Sequence, residues 1–154
     1  MILVRSLLLA VLCAAPVAAG ELPESRPGWV IERTEQGYAE LIENVDGAVA
    51  ASPLNVVTRA SATVGAKSLG QDIPGNMVVG VYRNDFAVRM LEASVPAGIE
   101  APLRFYLTEN ADGTAMLSWR TPSSVFAPYG SAELDEMAGE LDAIFEAIAR
   151  DAAR

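Results

Sequence analysis

Histidine is absent from the 154 residues, and cysteine occurs once, at Cys13. Without histidine there is no Ser-His-Asp or Cys-His catalysis, no imidazole-bound zinc or iron, no histidine haem ligand and no imidazole pH switch. Cys13 falls inside an amino-terminal apolar run, so the chain beyond it has no thiol, no disulfide and no thiolate ligand. Positive charge is scarce too: Lys and Arg total 11 against 20 Asp and Glu, a net charge of -9. Such an excess of acid repels phosphate backbones and anionic lipid headgroups, which argues against nucleic acid and peripheral membrane binding. Its ordinary meaning is solubility. Glycine-rich nucleotide loops of the G-x-G-x-x-G or Walker type are missing. Ser123 and Ser124 have neither a base nor a G-x-S-x-G elbow. No cofactor, metal site or catalytic residue is therefore expected.

What the chain does have begins with a leader. Met1 to Gly20 reads MILVRSLLLAVLCAAPVAAG: one positive residue, Arg5, then an apolar run from Leu7 to Ala15, then Pro16 and Val17-Ala18-Ala19. That is a signal peptide with its cleavage expected between Ala19 and Gly20. The uncharged stretch is shorter than the roughly twenty residues a spanning helix needs, so no stable anchor is expected after cleavage. A periplasmic or secreted location is expected in consequence. Removing Arg5 with the leader leaves 10 basic against 20 acidic residues in one domain.

Residues 20–28 are a polar, proline-containing tail, and 29–154 form the domain. Trp29 to Thr34 alternates as a strand does. Tyr38, Leu41, Ile42, Val45, Ala48 and Val49 recur at helical spacing, so a helix is expected from Tyr38 to Ala51. Leu54 to Arg59 reads as a second strand, and Ala62 to Gly75 as a loop holding at most a short helical turn. The continuously apolar Met77 to Arg83 is expected at the centre of the sheet. Asn84-Asp85 offers the cap of a second helix, with Phe86, Ala87, Met90, Leu91, Ser94 and Val95 as its inward face.

Leu103 to Glu109 and Thr114 to Arg120 flank Asn110-Ala111-Asp112-Gly113, a hairpin signal. Thr121 to Gly130 reads as a loop. Ser131 caps a last helix, 131–153, whose stripe of Leu134, Met137, Ala138, Leu141, Ile144, Phe145 and Ile148 should pack on the sheet. The fold class is α+β, in the order β-α-β-(turn)-β-α-β-β-α, with helices on one face of a mostly antiparallel sheet.

The segment Val78-Val79-Gly80-Val81-Tyr82-Arg83-Asn84, then Ala101-Pro102-Leu103-Arg104, then Glu109 with Asp112-Gly113 resembles the domain of unknown function 302 family. The likeness covers 29–120, with the last helix placed beyond it. The resemblance implies a compact α+β fold, often paired into homodimers, and supplies no catalytic residue.

Function is read from the sheet face left bare by the helices. Tyr82, Arg83, Arg104, Tyr106, Trp119 and Arg120 lie on or beside its strands, and alternation puts Tyr106 on the same face as Arg104 but not Phe105. Aromatic and guanidinium groups on one face suit an anionic or apolar ligand as well as ordinary cross-strand packing. The ligand-binding candidates are Asn84, Arg104, Tyr106 and Trp119. Among the carboxylates Asp72, Asp85, Glu109 and Asp112 no calcium-loop spacing occurs, and Asp85 and Asp112 read as cap and turn residues. The function expected is a non-enzymatic, exported binding or accessory domain. The alternatives are a small hydrolase or isomerase using Asp, Glu and Tyr, and a structural homodimer without ligand.

Overall fold

A computed structural model describes residues 23–154. The expected leader, with its cleavage point at Ala19-Gly20, lies outside them. The elements are β1 (Trp29–Gly37), α1 (Tyr38–Ala51), β2 (Asn55–Ala60), α2 (Ala62–Ser68), β3 (Asn76–Tyr82), α3 (Asn84–Ala93), β4 (Leu103–Glu109), β5 (Thr114–Arg120), α4 (Pro122–Phe126) and α5 (Ala132–Ala152). Short 3-10 turns at Val95–Glu100 and Ala127–Tyr129 complete the order. The five strands form one sheet, β1-β5-β4-β3-β2, and every neighbouring pair is antiparallel. The α+β class and helix-covered sheet therefore stand as the sequence implies.

The core lies between the sheet and α1, α3 and α5. Alternation along β4 sends Phe105 and Leu107 inward, both fully buried. Phe105 stacks on Phe145 of α5, with centroids 4.5 Å apart, and meets Trp119 of β5 edge-on at 5.7 Å. Leu134, Met137, Ala138, Leu141, Phe145 and Ile148 of α5 are buried, with Ile144 half-buried. Gln36 of β1 ties the end of this helix down by donating to the Ala152 and Arg154 carbonyls at 3.0 and 2.9 Å. The helix is thus part of the domain's own core.

Several local expectations change. β3 is interior, but β4 holds the centre, because β2 adds beyond β3 at the sheet edge. β1 runs on to Gly37, across an irregularity between Arg33 and Gly37 that bends it into α1. The segment after β2 is a seven-residue helix, α2, knotted to β3 by side chains. Ser61 caps it and donates to the Asn76 carbonyl at 2.7 Å, while Thr63 donates to the Pro74 carbonyl and accepts from the Asn76 amide. α3 starts on Asn84 itself, with Arg83 at the capping position and no side-chain cap. Phe86, Ala87 and Met90 point inward, but Leu91 and Val95 are exposed, because the chain leaves the helix at Ser94 for a 3-10 turn.

The stretch 121–130 is largely helical. Thr121 accepts from the Ser124 amide and Pro122 occupies the first turn, where its missing N–H costs nothing. Its role is to fix the start of β1. Ser124 donates to the Gly28 carbonyl at 3.0 Å, and a Cβ on Gly28 would lie 2.4 Å from the Ser124 Cβ. Gly28 also has φ +76, a conformation that disfavours other residues. That contact sets where Trp29 enters the sheet.

Candidate functional site

The face of the sheet away from α1, α3 and α5 carries a groove of about 720 Å³, within the usual size range of small-molecule sites. Its floor and walls are set by the strand register. One row across the sheet runs Trp29, Arg120, then Arg104, Gly80 and Thr58 on successive strands. The next runs Ile31, Ser118, Tyr106, Val78 and Ala60. Side chains in both rows point to the same side, because registered partners share a face. Ser61 and Ala62, at the start of α2, form the far wall with Asn76.

Of the residues expected to bind, Arg104 and Tyr106 line this groove. Trp119 borders it, but its register with Phe105 puts the ring on the helix-covered side, where it is 4% exposed. Its first role is packing. Asn84 is exposed at the start of α3 and takes no part in the lining. Arg120 was legible as part of the same face, and Ser118 lies beside Tyr106 through the β4–β5 hairpin, whereas Trp29 and Asn76 join the groove through pairings of strands further apart in sequence.

Among the described residues no aspartate or glutamate lines the groove. The carboxylates singled out by the sequence lie elsewhere. Asp85 binds Arg83 through both oxygens, and this pairing holds its carboxyl down to about 2. Asp112 accepts from the Thr114 hydroxyl and amide, which lowers its pKa and closes the hairpin turn. Glu109 accepts from the Gly75 amide at 2.6 Å. Asp72 is exposed in the loop before β3. Among the described residues no group of three or more His, Cys, Asp or Glu side chains is placed to hold a metal ion.

The Tyr38 hydroxyl is buried without a hydrogen-bond partner among the described residues, as is that of Thr108. Burial raises the Tyr38 pKa, helped by Glu109 and Tyr106. Thr108 lies two residues beyond Tyr106 on the same face of β4, so the open side of the sheet holds an unsatisfied polar atom near the groove.

The comparisons with known proteins agree with this architecture. A crystal structure of an uncharacterized conserved DUF302 protein from Bacillus stearothermophilus superposes with a TM-score of 0.73 at 19% identity, covering 82% of this chain and 98% of that one. That likeness is one of fold. No curated protein sequence matches the chain. The model of the family described as domain of unknown function DUF302 matches residues 30–151, a span that takes in α5, which from sequence was expected to lie beyond the family-like core. The chain belongs to the DUF302 family.

Proposed function

We propose that this protein is an exported, non-enzymatic binding domain that holds a small molecule in the groove on the open face of its sheet. The observation that carries the reading is the groove itself: a concave, largely apolar surface with a few polar groups converging on it, on the one sheet face the large helices leave bare. Among the described residues the lining holds no carboxylate, histidine or cysteine and so offers no evident general base or nucleophile, which favours binding over acid–base catalysis. Export is supported by the leader sequence, with the mature chain beginning at Gly20 in the periplasm or outside the cell. No described helix is long and apolar enough to cross a membrane.

A second reading, a homodimer, is favoured by one feature. Val88, Leu91, Val95 and Ile99 are 54, 46, 73 and 82% exposed along α3 and the turn after it, an apolar row of the kind that interfaces cover. Native mass spectrometry of protein purified from the source envelope tests both. The binding reading expects the mass of the mature chain plus one small molecule; a bare mass that no added amphiphile shifts contradicts it. A dimer mass lost on Ile99→Asp supports the second reading, and a monomer at all concentrations contradicts it.

A further inference from the structure

We propose that the groove takes a small amphiphile with an oxyanion head group, held between the guanidinium groups of Arg104 and Arg120, its apolar body lying along Tyr106 and Val78. This deepens the binding reading and rests on it. Arg104 and Arg120 stand one step beyond the Phe105–Trp119 pair on neighbouring strands, so they are adjacent and on one face. Gly80 is the partner of Arg104 and Trp29 that of Arg120. Like charges in this relation repel, and a folded protein ordinarily separates them or places a counter-charge between them.

Among the described residues no carboxylate is paired with either arginine, whereas Arg59, Arg83, Arg89 and Arg154 each pair with one. Arg120 Nη2 donates to the Ser124 carbonyl at 3.5 Å. In a chain with 20 acidic residues to 11 basic ones, this concentrates unneutralised positive charge at one end of an apolar groove. Two planar guanidinium forks suit the oxygens of one carboxylate or phosphate. Away from the arginines the groove offers the Tyr106 ring, Val78 and Ala60, which suit an alkyl or aromatic body.

The test is displacement of N-phenyl-1-naphthylamine, a neutral fluorescent dye, from the purified protein by decanoate, decyl phosphate and decanol. The proposal expects the anionic competitors to act at concentrations about tenfold lower than decanol, as charge-assisted pairing to two arginines implies. That advantage should shrink as salt rises from about 10 to about 200 mM, because the head-group site is open to solvent. Decanoate outcompeting decyl phosphate assigns a carboxylate head, and the reverse assigns a phosphate. Arg104→Gln and Arg120→Gln should each abolish the advantage while still binding the dye and melting like the wild type, and Arg150→Gln on α5 should leave it intact. Should a groove variant fail to fold, the salt dependence in the wild type decides. If decanol competes as well as the anions, the oxyanion assignment is overturned and the groove reading survives. If neither dye nor competitor binds, both fall.

Discussion

The two faces of the sheet are built from alternate residues of the same strands, yet they differ in kind. On the helix side, Phe105, Leu107, Ala115 and Leu117 are fully buried, and two of the arginines there pair with carboxylates: Arg59 with Asp46 of α1, and Arg89 of α3 with Glu140 of α5 at 2.6 and 2.9 Å. On the open side, Arg104, Arg120 and Arg33 carry no described ion pair, and apolar and polar side chains mix in each row. One face is arranged for packing, where every polar group must be satisfied within the chain. The other leaves charge and hydrogen-bonding capacity unspent, as a surface that meets a ligand does.

Changes on the helix side should cost most. A chain ending at Gly130 loses the whole α5 stripe and should show no cooperative thermal transition; one that melts like the full-length protein would mean that α5 is an interaction element instead. Phe145→Ala removes the ring stacked on Phe105 and should cost about 3–5 kcal/mol in urea unfolding. Gly28→Ala sets a Cβ against Ser124 at a positive φ and should cost about 1–3 kcal/mol, with a disturbed Trp29 fluorescence as its local signature. On the open side, Arg104→Gln should change stability by no more than about 0.5 kcal/mol, and in the stabilising direction at low salt, because it relieves the Arg104–Arg120 repulsion. A large loss there would show that Arg104 is part of the packing.

The smallest effect is one of pH. Asp85 is held at about 2 against an ordinary 3.8 by Arg83. A carboxyl depressed by folding stabilises the native state above its unfolded value, and that contribution disappears as pH falls through about 2. Asp85→Asn should therefore flatten only the acid limb of the stability profile, between about pH 4 and 2. Because the pair is exposed, the change is small: above pH 5 the variant should lie slightly and constantly below the wild type, and the two profiles should meet near pH 2.

Periodicity made the three long helices, the hairpin and the inward face of β4 legible, since each depends on residues near one another in the chain. Two short helices were less so, although their caps are written locally: Ser61 before Ala-Thr-Val, and Thr121 before Pro122. Two or fewer turns leave no room for an amphipathic repeat, and the contacts that stabilise them, Asn76 to Thr63 and Ser123 to Asp142, come from elsewhere in the sequence. The groove was half legible for the same reason. Alternation put Arg104 and Tyr106 on one face, but joining them to Trp29 requires knowing that β1 pairs with β5 rather than with β2. The side on which the Trp119 ring lies was not legible for a chemical reason: an aromatic at the end of a strand serves a core as readily as a site, and its register with Phe105 decides.

Whether the open face binds, and whether its arginine pair meets the ligand's head group, can be read from amide chemical shifts in an isotope-labelled sample titrated with decanoate. The account predicts saturable shifts concentrated at Trp29, Asn76, Arg104, Tyr106, Ser118 and Arg120, with the Nε–H resonances of both arginines moving together. Shifts confined to Val88, Leu91 and the outer faces of α3 and α5, or no saturable shift at all, would contradict it.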